Sequence, residues 1–87
     1  MNLTISTRAE KELKKISKIN QITIAKKIRS LVNVEIVNEE KLSGFKNIFR
    51  VRVGKYRIVY RKTNQEIYIV LIRHRKDVYR LVNQLLK

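Results

Sequence analysis

The sequence predicts an α+β fold in which a small antiparallel sheet packs on an N-terminal helical hairpin, in the order β-α-α-β-β-β with a short C-terminal helix. Three observations carry this reading. Apolar and polar residues alternate with period two on both sides of Gly54-Lys55, as in a two-stranded hairpin. Apolar residues recur at helical spacing through the N-terminal third, and again after Lys76.

In chain order, Asn2 to Ser6 reads as a short strand with Leu3 and Ile5 on one parity. Thr7-Arg8-Ala9-Glu10 then has the form of a capping box, with the Thr7 hydroxyl accepting from the Glu10 amide and the Glu10 carboxylate reaching back. It starts a helix whose apolar residues are Ala9, Leu13 and Ile16. Lys11, Lys14, Lys15 and Lys18 form a stripe on the opposite face, which reads first as a solvated surface, as charge runs usually are, and only second as a contact for an anionic ligand. The pattern restarts near Asn20, and Ile22, Ala25, Ile28, Leu31 and Val32 outline a second helix. Val34 to Gly44 is a connection carrying Glu35, Glu39 and Glu40, with Gly44 supplying positive φ before the hairpin.

Strands are predicted at about Lys46 to Val53, Tyr56 to Lys62 and Glu66 to Arg73, with Thr63-Asn64-Gln65 as the second turn. The last of these is apolar on both parities, so it belongs in the sheet interior, flanked on both sides and covered by helices on one face. Val78, Leu81, Val82 and Leu85 then outline a C-terminal helix that Asp77 helps to start.

Composition narrows the function. A chain of 87 residues allows one domain, burying about 60–65% of its unfolded surface. Its 21 Lys and Arg against 7 Asp and Glu give a net charge of +14, which favours nucleic acid or an acidic protein as partner. From Lys46 to Gln65 there are seven basic residues and no acid. The absence of cysteine excludes disulfides and thiolate metal sites, and a lone His74 excludes a multi-histidine site. No apolar run reaches the roughly 20 residues of a membrane span, and the first residues lack the apolar core of a signal peptide, so the cytoplasm is the expected compartment.

The strongest functional signal is in the hairpin. A two-residue loop at Gly54-Lys55 sets Val53 opposite Tyr56, Arg52 opposite Arg57, Val51 opposite Ile58 and Arg50 opposite Val59. Arg50, Arg52, Arg57 and Arg61 then share one face, and Phe49, Val51, Val53, Tyr56, Ile58 and Tyr60 the other. Gathering like charges destabilises a sheet, so the arrangement implies an anionic ligand such as phosphate. A second cluster, Arg73-His74-Arg75-Lys76-Asp77-Val78-Tyr79, lies where the last strand ends, and reads equally as an active-site rim or as an exposed corner. Tyr79 there either stacks on a base or packs its ring on the helix.

Ala9 with Leu13, Lys41-Leu42-x-Gly44, the run from Phe49 to Tyr60 and His74-Arg75-x-Asp77-Val78-Tyr79 together resemble the RelE toxins of the RelE/ParE toxin–antitoxin superfamily, over almost the whole chain. The resemblance implies a single RelE-like toxin domain over 1–87. It implies a toxin of a type II module that enters the ribosomal A site and cleaves mRNA, an endoribonuclease that inhibits translation without a metal or other cofactor. The implied partners are the ribosome, mRNA and an acidic RelB-like antitoxin, in a toxin–antitoxin heterotetramer with no membrane association. The family's catalytic groups fall at Arg50, Arg52, Arg57, Arg75 and Tyr79. Lys46, Lys55, Arg61 and Arg73, with Lys11 and Lys15 of the first helix, complete the expected RNA contacts. Several RelE toxins have lysines where this chain has Arg50 and Arg52, and arginine, with a pKa above about 12, is a poor general base. His74 is therefore the candidate acid or base, a hydrogen-bonding residue at a strand end being its plainer role. Two rivals remain: a ParE-type toxin that poisons DNA gyrase without nuclease activity, and a basic module that only docks nucleic acid.

Overall fold

The computed structural model describes residues 1–33 and 38–86. Glu35, part of the predicted connection, lies outside them. Strand β1 (Asn2–Ile5) leads into helices α1 (Thr7–Lys14) and α2 (Lys18–Ser30). There follow β2 (Glu40–Lys41), β3 (Ile48–Val53), β4 (Tyr56–Lys62), β5 (Glu66–His74) and helix α3 (Val78–Leu86). The five strands form one sheet in the order β1-β5-β4-β3-β2.

The sheet is mixed rather than purely antiparallel as predicted, because β1 pairs parallel with β5. The β2 to β5 meander is antiparallel throughout, and β1 takes the remaining edge of β5, from Asn2 opposite Glu66 to Ile5 opposite Ile69. A pairing between strands more than sixty residues apart leaves no local signature, which is why alternation in the sequence did not reveal its direction. The last strand is interior, as expected. The hairpin register also matches the expectation pair by pair, with Val53 opposite Tyr56, Arg52 opposite Arg57, Val51 opposite Ile58 and Arg50 opposite Val59. Gly54 makes the turn at φ 57°, a left-handed conformation that costs glycine little.

Helices cover both faces of the sheet, not one. Against the first face, Ala9 of α1, Ile24 and Ile28 of α2 and Leu31 pack on Val51, Ile58, Tyr60, Ile67, Ile69 and Ile72. Against the second, Val78, Leu81 and Val82 of α3 pack on Ile48, Val59, Val70 and Leu71. A β-bulge makes the second core possible: Val59 pairs with Leu71 while the next residue, Tyr60, pairs with Ile69, so Val70 is the extra residue. Consecutive residues Val70 and Leu71 thereby both contribute to the core under α3. The apolar run in β5 is apolar on both parities because both of its faces are buried.

Three local expectations shift. The N-cap of α1 is Ser6, not Thr7: its Oγ accepts from the Ala9 N–H at 3.0 Å and donates to the Val70 carbonyl at 2.9 Å. The last β1 to β5 hydrogen bond, from the Ser6 N–H to the Ile69 carbonyl, places the helix start there. Glu10 pairs with Lys14 instead of closing a capping box. Along α2 and just after it, Ile28 and Leu31 are buried as predicted, but Ile24 is fully buried whereas Ile22 is 52% exposed and Ile19 79% exposed, so the buried stripe departs from the prediction in the first half of the helix. In α3, Leu85 is exposed and Leu86 packs on the core in its place.

The phase of α2 is open to direct test. Ile24→Ala should lower unfolding free energy by about 2–5 kcal/mol, the range for emptying a buried aliphatic site. Ile22→Ala should stay within about 0.5 kcal/mol of the parent. Urea denaturation of the two variants measures both.

Candidate functional site

Strand register brings Arg50, Arg52 and Arg57 to one end of the α3 face, next to the hairpin turn. Arg52 and Arg57 are directly opposite each other, a like-charge pair that disfavours the sheet. Arg57 curls back so that one Nη donates to the carbonyls of Gly54 at 3.2 Å and Tyr56 at 3.0 Å. Partial desolvation lowers the Arg57 pKa, and the charges of Arg50, Arg52 and Arg75 lower it further, while Tyr79 acts in the opposite sense. The other four side chains are therefore within electrostatic reach of Arg57. Guanidinium groups gathered around Arg57 suit a phosphodiester, which would reverse the mutual repulsion.

Arg50 is largely enclosed, its side chain 13% exposed. One Nη donates to Oε2 of Glu40 on β2 at 2.8 Å, and the guanidinium carbon lies 5.7 Å from the centre of the Tyr79 ring. Its buried Nε–H has no partner among the described residues. Tyr79, at the start of α3, is 49% exposed. Its ring packs beside Arg50 yet keeps an open side. Arg75 is positioned by backbone, since its N–H donates to the Lys55 carbonyl at 2.9 Å and ties the segment after β5 to the hairpin turn. Lys55 itself is exposed at that turn.

The structure disperses the remaining expected residues. His74 pairs with Tyr56, on the parity opposite the arginines. Its ring meets Tyr56 edge-on at 6.1 Å and its Nδ1 accepts from the Lys76 N–H at 3.3 Å, so it is not brought to the arginine cluster. Arg73 is opposite Arg57 in register but ion-pairs with Glu12 at 3.5 Å and Asp77 at 3.7 Å. Lys11 and Lys15 of α1 share a groove with Arg73 and not with Arg57. Arg61 has the parity of the other arginines, but Val59 and the α3 core intervene, and it sits over Tyr68 at 5.9 Å. Lys46 is exposed before β3.

Sequence reasoning gave no role to three acids that the structure places at junctions, of which Glu40 alone meets the arginine cluster. Glu12 is buried and its Oε1 accepts from the Ile72 N–H at 2.9 Å, on a stretch of β5 that β1 no longer covers. Glu39 accepts from the buried Tyr60 hydroxyl at 2.5 Å and from Lys62 at 2.7 Å. Burial, with the Glu39 hydrogen bond and charge, raises the Tyr60 pKa. Glu40, the next residue, points to the other face and meets Arg50. Three consecutive charged residues, Glu39-Glu40-Lys41, carry no alternation, so nothing local marked the two-residue edge strand β2. Among the described residues no group of three His, Cys, Asp or Glu side chains is placed to hold a metal ion.

A family model described as ParE toxin of type II toxin–antitoxin system, parDE, matches residues 3–79. No curated protein matches the sequence. The fold is similar to a chain of the RelB–RelE antitoxin–toxin complex from Methanococcus jannaschii, at 24% identity and TM-score 0.74, covering 90% of this chain and 96% of that one. The isolated E. coli RelE toxin aligns at 24% identity and TM-score 0.70, covering 98% of both chains. A YoeB dimer from Staphylococcus aureus aligns at 23% identity and TM-score 0.71, covering 85% and 95%.

If the arginine face is held against its own repulsion, relieving it should strengthen the free protein. Arg52→Gln should raise the unfolding free energy at low salt by about 0.2–1 kcal/mol, the scale of a cross-strand charge effect. The same change should reduce the salt-dependence slope for single-stranded RNA by about 0.7 for each phosphate that Arg52 neutralises. Urea melts and fluorescence titrations across a salt series test the two signs together.

Proposed function

The chain belongs to the ParE toxin family of type II toxin–antitoxin systems, and we propose that within it this toxin is a ribosome-dependent mRNA endonuclease of RelE type. The carrying observation is the gathering of Arg50, Arg52 and Arg75 around Arg57, with the Tyr79 ring against Arg50. In this reading the whole chain, 1–87, is one RelE-like domain acting in the cytoplasm.

The chemistry follows from what such a cluster supplies. The guanidinium groups hold the scissile phosphate and stabilise charge that develops on its non-bridging oxygens as the neighbouring 2′-oxygen attacks. Tyr79 offers its exposed ring side to a base and so orients the nucleotide. The ribosomal A site fixes the mRNA for in-line attack. The reaction uses the RNA's own hydroxyl as nucleophile, so it draws on no cofactor.

An acidic RelB-like antitoxin is the expected partner, in a heterotetramer of two toxins and two antitoxins. The net charge of +14 speeds encounter with an acidic chain. Ile19 and Ile22, exposed on α2, offer apolar area for a segment that folds on binding. The matched structures include RelE held with RelB.

A second reading rests on the family match itself, whose description names ParE. A ParE-type toxin would bind and poison DNA gyrase, and needs no nuclease site. Primer extension on mRNA from translating ribosomes with purified protein decides between them. Cleavage within A-site codons supports the nuclease; intact mRNA with gyrase-trapped DNA breaks supports the poison.

For the nuclease, Arg57→Ala should lower single-turnover cleavage on the ribosome by about 10²–10³-fold, the scale of removing one transition-state donor, while melting as the parent does. His74→Ala, altering a residue on the opposite parity, should cleave within a few-fold of the parent. A large loss from His74→Ala, or full activity in Arg57→Ala, would contradict this assignment. Naked RNA should bind with steep salt dependence and be cut poorly.

A further inference from the structure

A cleft of about 330 Å³ opens beside the arginine cluster, between residues 40–45 and the first two turns of α3. Leu42 and Val82 give it a buried apolar part, and Phe45 and Tyr79 add aromatic surface. Ser43 and Asn83, both exposed, bring polar groups to it. The volume is at the small end of ligand-binding clefts, which suits one flat heterocycle.

Tyr79 is common to the cleft and the cluster. The Arg50 guanidinium lies 5.7 Å from the centre of its ring, and the same residue lines the cleft. A phosphodiester held by Arg50 therefore has one of its two nucleosides within reach of the cleft, because base and phosphate are joined through a single ribose. This continuity decides the occupant. A nucleobase carries an apolar face for an aromatic or aliphatic wall and a polar edge that takes hydrogen bonds, and the cleft supplies both.

We propose that this cleft takes the base of a nucleotide adjoining the scissile phosphate and that Asn83 reads it, giving the toxin a preference for adenine there. The inference rests on the nuclease reading above and concerns which codons are cut. Among the described residues the Asn83 side chain makes no hydrogen bond, so its carboxamide keeps a donor and an acceptor for a ligand. Side by side, these complement the amino group and the neighbouring ring nitrogen of adenine, the bidentate pairing that asparagine makes with that base. Ser43 has a single hydroxyl that both donates and accepts, and so suits any base edge. Glu40 also lines the cleft but is paired with Arg50. The discriminating group is therefore the Asn83 amide.

The packing of α3 does not call for an asparagine at this place. The helix buries Val78, Leu81 and Val82, and Asn83 is exposed in mid-helix, where its intrinsic propensity is poorer than that of alanine or lysine. It follows Tyr79 by four residues, close to one turn, so the two side chains lie on the same side of α3. One rigid element thus holds both the aromatic wall and the amide, and sets their spacing before any RNA arrives.

The test is single-turnover cleavage by the intact toxin on ribosomes whose A-site codons differ at one position, each position in turn carrying A, C, G or U, with a thermal melt of the variant as control. At one position the parent should cut about 5–150-fold faster with adenine than with the other bases, the discrimination of one bidentate amide–base contact. Asn83→Ala should abolish that ratio and melt as the parent does. Purine riboside, which is adenosine without its amino group, should cost the parent the same factor and cost Asn83→Ala nothing further. If Asn83→Ala slows all codons equally and keeps the ratio, Asn83 is structural and the proposal fails. It fails as well if the parent shows no preference for adenine at any position. A parent that leaves every ribosome-bound mRNA intact would overturn the nuclease reading and this inference with it, whereas a parent that cuts without regard to Asn83 overturns the inference alone.

Discussion

The two-residue turn at Gly54-Lys55 fixes the register of β3 on β4, and most of the molecule depends on that register. With Val53 opposite Tyr56, every odd position of β3 faces the α1 and α2 layer and every even one faces α3. A slip of one residue would put Arg50 and Arg52 into the core and Val51 into solvent. Apolar burial on one side therefore holds the guanidinium groups on the other. The repulsion between Arg52 and Arg57 is tolerated because Val51, Ile58 and their neighbours, fully buried, leave the hairpin no alternative pairing.

The second face is divided between packing and charge. Helix α3 must bury Val78, Leu81 and Val82 somewhere, and the bulge in β5 supplies Val70 and Leu71 together with Val59 as its seat. The helix thus lies across the middle of the face that carries the arginines. Its first turn brings Tyr79 to Arg50, while the rest of the helix separates Arg61 from the cluster. One packing event both completes the site with an aromatic ring and limits its extent.

Acidic residues are few, and those the structure describes hold key junctions. Glu12 occupies the Ile72 N–H beyond the end of β1 and draws in Arg73. Arg73 is thereby linked to α1 and α3 through Glu12 and Asp77, although its register places it opposite Arg57. Glu39 and Glu40, adjacent on the chain, face opposite sides as strand residues must, one securing Tyr60 and Lys62 and the other meeting Arg50. In a chain of such positive charge, a carboxylate placed against the arginine cluster has a specific electrostatic role, and its neighbours define it.

Features with a local cause are legible in the order of the amino acids. The hairpin register follows from a two-residue turn and a period of two, so the common face of Arg50, Arg52 and Arg57 can be read from the residues alone. The interior place of β5 follows from its apolar run, and α3 from the spacing of Val78, Leu81 and Val82. Other features depend on contacts between distant segments and have no local sign. The parallel pairing of β1 with β5, the phase of α2 that buries Ile24 and exposes Ile22, and the cap at Ser6 each answer to a partner far along the chain. The same is true of the site. His74 and Arg73 are neighbours of Arg75 in sequence, but strand parity turns His74 away and Glu12 draws Arg73 aside, whereas Glu40 reaches Arg50 across ten residues because β2 pairs with β3. Sequence proximity fixes only which face a side chain occupies, and the packing of helices and edge strands fixes which charges meet there.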